Sequence, residues 1–390
     1  MASADSASDA VAGTARLVGL DVARALALLG MVATHLLPEA TPAGELTWTQ
    51  ELAGGRASAL FAVLAGVSLA LMTGGRTPVR GRDRWVASAG LAARALLIAL
   101  IGLVIATQDT GLAIILTYYG VLFLLGIPFV GLQARSLAIL AGLWLTIVPV
   151  VSHVLRPELP ERRFDSPMFE QLAEPSRLLS ELLFTGYYPT VPWLAYLLAG
   201  MAIGRSDLAR RGVQAGLLVG GLILAGLASF LSREATAGQF SPATLRNADF
   251  GMYGTTPTDR AAWLLVDAPH SATPFDLALT IGSAVALIGA CLLVVGVLPR
   301  PGVRFMAVVF GAGTMTLTLY TLHAWWRSDW IPPEDPSAFR THVVLLAGIG
   351  AVFVLLRWRG PLEIAVGVPS RLLRRWDARN RSSSTYVGSA

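Results

Sequence analysis

Residues 17–37 read LVGLDVARALALLGMVATHLL. About twenty residues at 1.5 Å each match the hydrocarbon thickness of a bilayer, so the stretch reads as a membrane-spanning helix. Its ionisable groups are Asp21, Arg24 and His35, set into an otherwise apolar or small-residue run. Comparable runs recur along the 390 residues, which are 54% hydrophobic and only 14% charged. That composition excludes an ordinary soluble domain and predicts an all-α, polytopic helical membrane bundle. Counting about twenty residues per crossing gives ten spans, at 17–37, 55–73, 86–106, 111–131, 136–155, 186–204, 213–231, 275–298, 305–326 and 342–358.

Charge orients these spans. With the N-terminus in the cytosol, the inner segments hold 18 Arg and 6 carboxylates, net +12. The outer segments hold 10 Arg and 18 carboxylates, net −8. This asymmetry predicts both termini inside. Every one of the 30 basic residues is Arg, a coding bias of GC-rich, bacterial character that says nothing about activity. Three regions follow: an acidic, small-residue tail at 1–15 expected to be disordered, a transmembrane domain at 16–370, and a basic tail at 371–390 expected at the inner membrane surface. The Arg residues recur beside apolar runs rather than within one domain, which argues against nucleic acid as a partner. The single cysteine, Cys291, lies in an apolar run, so neither a disulfide framework nor a thiolate metal site is expected. Two outer loops, 156–185 and 232–274, are long and aromatic enough to be functional. No internal repeat and no pair of interrupted helices stands out.

Ionisable side chains inside a bilayer are costly, by roughly 2.5–3.5 kcal/mol near its centre, and so mark candidate sites. Asp21 and Arg24 are three apart and can pair on one helix face. From Arg24 to His35 is eleven residues, which returns to within about 20° of the same face after a rise of about 16 Å. One face thus carries a cation at one end and an imidazole at the other. The alternative is a buried ion pair with His35 as a helix-end residue. Arg94 is a second intramembrane cation, unless it snorkels to the inner surface. All five histidines, 35, 153, 270, 323 and 342, fall at outer helix ends or in an outer loop, as proton chemistry or an interfacial belt would place them. Tyr320 and His323 lie one turn apart, and Asp267, His270, Ser271 and Asp276 lie within ten residues, an arrangement able to position a base. Pro189 and Pro192 at the start of the sixth span fit either a cavity near Tyr188, Trp193 and Tyr196 or a proline-started helix with a belt of aromatics.

These motifs together look like a known group. RLVGLDVARALALLGMVATH resembles the first span of the transmembrane acyltransferases, SALFAVLAGVSLAL is similar to their second, and MTLTLYTLH to their late Tyr-x-x-His span. The match is closest to bacterial relatives of heparan-α-glucosaminide N-acetyltransferase, with the acyltransferase type 3 family as a cousin. The resemblance implies transfer of an acyl group, often acetyl, from cytosolic acyl-CoA to a hydroxyl or amine of an extracytoplasmic glycan or lipid in the cell envelope. It implies catalytic roles for His35 and His323, while His270 is proposed from its loop. Arg24 and Arg94, with Asp21 beside them, are expected at the donor. The segment Leu36–Gly55 lacks the histidine-rich stretch of the heparan enzyme, so His35 takes its role from the type 3 pattern. Acetyl-CoA is the donor implied, with no metal required. His35 can act as general base or as a transient acyl carrier. A proton-coupled transporter or lipid flippase, using the same ionisable groups as a relay, is the competing reading.

Overall fold

The structure is a computed structural model that describes residues 2–108, 110–163, 166–327 and 336–387, giving the backbone alone for 2–16, 336 and 381–387. Regular structure among the described residues is helical, with one isolated bridge between Ala40 and Leu46. The α-helices, in order, are α1 (Ala2–Leu36), α2 (Trp48–Ala53), α3 (Arg56–Met72), α4 (Gly81–Ala106) and α5 (Leu116–Gly126). Then come α6 (Ala134–Leu155), α7 (Pro175–Ser180), α8 (Thr190–Gly204), α9 (Arg211–Thr236) and α10 (Pro242–Asp249). The last five are α11 (Pro274–Val297), α12 (Arg300–Val309), α13 (Thr316–Trp326), α14 (Pro336–Leu355) and α15 (Pro361–Val387). The backbone of 2–16 continues α1, where the sequence reading expects no regular structure.

Seven segments are long and apolar enough to cross a membrane: Leu17–Leu36, Trp48–Met72, Gly81–Ala106, Ala134–Glu158, Arg211–Thr236, Pro274–Val297 and Ser337–Leu355. The chain is therefore a multi-pass membrane protein. The other three of the ten expected spans are shorter or interrupted, each for a local reason. The fourth loses its first turns because Gly111 adopts φ +62° and the Ser166 hydroxyl, 2.7 Å from Ile114 N and 3.0 Å from Leu112 O, holds that segment out of a helix. The sixth starts only at Thr190, after Pro189. The ninth is broken into α12, a tight turn at Gly311–Thr314, and α13.

Small residues set the packing, as expected where lipid removes the hydrophobic drive between helices. A Cβ at Gly66 of α3 would lie 2.2 Å from Leu197 O of α8, and one at Gly200 of α8 would lie 1.9 Å from Val63 O of α3. The helix α1 is central and packs on α3, α11 and the Gly311–Thr314 turn. Outer helices turn apolar side chains outward: Ile139, Leu143 and Ile147 on α6, and Leu222, Ile223 and Phe230 on α9, are all exposed, as lipid contact requires. The basic helix α15 lies along α4, held by Arg82 to Asp377 and by Ser370 Oγ donating to Gly90 O.

Candidate functional site

The stripe read on α1 is present in three dimensions. Arg24 pairs with Asp21 and donates from Nη2 to Ser68 Oγ of α3 at 2.9 Å. Arg24 and Arg94 line one narrow slot of about 110 Å³, walled by Phe61, Leu64, Ile98 and Phe123. Arg94 lines this slot with Nη1 3.7 Å from Met72 Sδ. Asp21 is not on the slot wall: it holds Arg24, and its own carbonyl packs on Gly313.

At the other end of α1, His35 opens on a second, larger cavity of about 760 Å³. The loop 232–274 builds part of its wall, contributing Asp249, Tyr253 and His270, and Gln50, Tyr187, Tyr188 and Arg327 line it from other segments. Slot and cavity share two lining residues, Ile115 and Tyr320. The Ile115 N–H donates to Tyr320 Oη at 3.4 Å. A phenol oxygen that accepts keeps its own hydrogen free to donate. Tyr320 therefore stands at the seam with a spare donor.

His35 Nδ1 lies 3.0 Å from His323 Nε2. His323 is fully buried behind His35 and does not line the cavity. It packs in turn on His342 of α14, ring centroids 4.9 Å apart at 84°. Tyr320 does not orient His323, although the two are one turn apart; His35 does. The loop set around His270 separates as well. Asp276 accepts from Ala272 N at 2.9 Å, Asp267 accepts from Ser232 Oγ at 3.1 Å, and His270 Nδ1 has no partner. Among the described residues neither Asp267 nor Asp276 is hydrogen-bonded to His270, which lines the cavity with φ +58°. Burial lowers its pKa to about 4, so it is neutral at physiological pH. Burial, and secondly the charge of Asp267, raise the pKa of Asp249 on the same wall.

Several expectations fall elsewhere. His153 is buried at the end of α6 and lines neither space. Trp193 and Tyr196 are core residues, while Tyr188 does reach the cavity, as the cavity reading of the prolines predicts. Near the slot end of α3, Arg76 pairs with Asp207, Arg82 with Asp377, and Arg84 donates to Pro128 O. Two contributors escape the sequence reading. Arg327 is four residues after His323, a spacing that places both on one helix face and so was available as a signal. Ser68 is joined to the site by tertiary contact alone, as is the packing of His342 on His323.

Comparison with known proteins bears directly on this arrangement. No curated protein matches the chain. The family model described as heparan-alpha-glucosaminide N-acetyltransferase, catalytic, matches residues 16–235, which contain α1 with Arg24 and His35, Ser68, and Arg94. The match covers more than half of the 390 residues; the chain belongs to the heparan-alpha-glucosaminide N-acetyltransferase-like family of transmembrane acyltransferases.

Proposed function

We propose that the protein transfers an acetyl group from cytosolic acetyl-CoA to a hydroxyl or amine of an extracytoplasmic glycan or lipid. The observation that carries this reading is the presence of two unlike spaces along α1 with a common wall. An arginine-bearing slot and a larger, imidazole-bearing cavity share the lining residues Ile115 and Tyr320. Arginine forks suit phosphate oxygens, so Arg24 and Arg94 would hold the donor's charged end. The donor's linear arm would run along the largely apolar lining of the slot, past Phe61, Leu64, Ile98 and Phe123. Its thioester would then arrive at Tyr320, whose free hydroxyl hydrogen is placed to meet the developing oxyanion.

His35 acts as general base in this scheme. With Nδ1 engaged by His323, Nε2 is the nitrogen left for the acceptor. It takes the acceptor's proton as the acceptor's lone pair attacks the thioester carbonyl carbon. The C–S bond breaks, the sulfur leaves with the electron pair, and the proton passes from Nε2 to that sulfur. Acyl group and proton have exchanged places, and nothing else is consumed.

The test uses purified protein in lipid nanodiscs, with acetyl-CoA as donor and glucosamine as probe acceptor. Wild type is expected to bind acetyl-CoA and turn over. Arg24→Ala should weaken donor binding about tenfold or more, and His35→Ala should lower turnover by on the order of 10³-fold with donor binding kept. Acetyl-CoA alone should leave no label on the protein, since no acyl-histidine forms. Absence of acetyl-CoA binding to folded wild-type protein sinks the reading, and substrate flux into liposomes in its place would favour a transporter.

A further inference from the structure

Two buried nitrogens behind His35 have no hydrogen-bond partner: His323 Nδ1 and His342 Nε2. Both residues have no solvent exposure, and their rings adjoin edge to face with centroids 4.9 Å apart. An unpaired polar atom in an apolar interior is costly, and two on adjoining rings call for one common explanation.

The surrounding donors give the set a direction. His342 Nδ1 lies 2.9 Å from the Ala338 carbonyl. A carbonyl oxygen only accepts, so Nδ1 carries the hydrogen and Nε2 is a lone pair. That lone pair needs a donor, and the orphan on the adjoining ring is His323 Nδ1. With hydrogen on Nδ1, His323 presents a lone pair at Nε2 to His35 Nδ1, 3.0 Å away. His35 Nδ1 must then donate, which leaves His35 Nε2 as the proton acceptor.

We propose that His342 is a positioning residue for acetyl transfer. Through one bridging water it holds His323 in the Nδ1–H tautomer, and His323 in turn holds His35 with Nε2 unprotonated. The inference rests on the reading of His35 as base and adds what orients that base, the part a third group plays behind any activated imidazole. Such a water would meet two polar partners, donating to His342 Nε2 and accepting from His323 Nδ1. The charged or titratable groups acting on these rings from other positions are Arg327, on all three, and His270, on His35. Trp326 covers the His342 ring at 4.6 Å between centroids.

The experiment is side-chain ¹⁵N spectroscopy of histidine-labelled, full-length protein in nanodiscs at pH 7.5, which reads which ring nitrogen carries hydrogen. All three of His35, His323 and His342 are expected to carry it on Nδ1, the tautomer that free imidazole populates less. His342→Phe should move the His35 hydrogen to Nε2 and lower kcat for acetyl-CoA and glucosamine on the order of 10²-fold, with KM for acetyl-CoA unchanged. His342→Gln, which keeps a carbonyl oxygen for the water, should restore the His35 pattern and most of kcat. A wild-type spectrum with hydrogen on Nε2 of His323 or His342 overturns the proposal even where His342→Phe fails to fold. So does a folded His342→Phe protein whose His35 signals are unmoved. Because the spectra are read without acetyl-CoA, failure of the relay and failure of the transferase reading are separate results.

Discussion

His270 and Arg205 are single residues whose burial makes opposite demands. His270 has its pKa lowered to about 4 by burial, against about 6.5 in an unfolded chain. Between these values the unfolded state binds a proton that the folded state refuses, so folding stability falls as pH drops from about 6.5 towards 4. Above that window the group is neutral in both states and contributes no pH dependence. Asparagine tolerates the left-handed backbone at this position, φ +58°. His270→Asn should therefore fold and show a smaller drop in Tm between pH 7 and pH 5 than wild type; equal drops would mean that His270 does not titrate this way. Arg205, at the end of α8, donates to the carbonyls of Ala70, Thr73, Gly75 and Val130 and to Thr73 Oγ1. One planar fork thus satisfies the C-terminal turn of α3 and the Ile127–Phe129 turn together. Lysine cannot span them, so Arg205→Lys should cost about 3 kcal/mol or more and lower Tm by several degrees. An unchanged Tm would show that these carbonyls find other donors. The sequence reading anticipates Arg24 and His35 because helical arithmetic suffices for two residues on one helix. It has no access to His35 with His323, or Arg24 with Ser68, whose partners come from different helices.

The interrupted ninth span shows the same limit at the scale of elements. Hydropathy reads 305–326 as one crossing, because the turn residues Gly311–Thr314 are small and do not lower the mean. What breaks the helix is tertiary: the Asp21 carbonyl of α1 approaches so closely that a Cβ at Gly313 would sit 1.8 Å from it. The break frees backbone donors at the start of α13, and Glu363 of α15 accepts from Leu317 N at 2.8 Å and Thr318 N at 3.1 Å. The interruption thereby places Tyr320 and His323 relative to α1. Gly313→Ala is expected to push α13 away from α1, at a cost of about 3 kcal/mol or more. Acetyl transfer should fall even at temperatures where the variant remains folded, because the His35–His323 contact would lengthen. Wild-type turnover and Tm in Gly313→Ala would show that the two segments are not locked together by this approach. Gly348 of α14, with nothing within 4 Å of an added Cβ, supplies the control that should tolerate alanine.

For the whole molecule, the excess of arginine on one side is a statement about how the bundle sits in the membrane, and the proposed chemistry depends on it. On the ten-span reading the segments assigned inside hold 18 of the 30 Arg residues, an asymmetry that would orient the Arg24 end of α1 toward the cytosol and the His35 end away from it. A donor made in the cytosol and an acceptor outside it can meet only in that orientation. The chain offers a clean probe, since Cys291 is its single cysteine and is buried. Ala43, beyond the His35 end of α1, and Thr77, in the loop between α3 and α4, are both exposed. Replaced singly by cysteine in intact cells, Ala43→Cys should react with a membrane-impermeant maleimide. Thr77→Cys should react only after the membrane is opened. The reverse pattern would put the arginine slot on the outer face, out of reach of a cytosolic thioester. The orientation also fixes an asymmetry of turnover in sealed vesicles: acetyl-CoA should support transfer only from the side on which Thr77→Cys is labelled, and the acetylated product should collect on the side of Ala43→Cys.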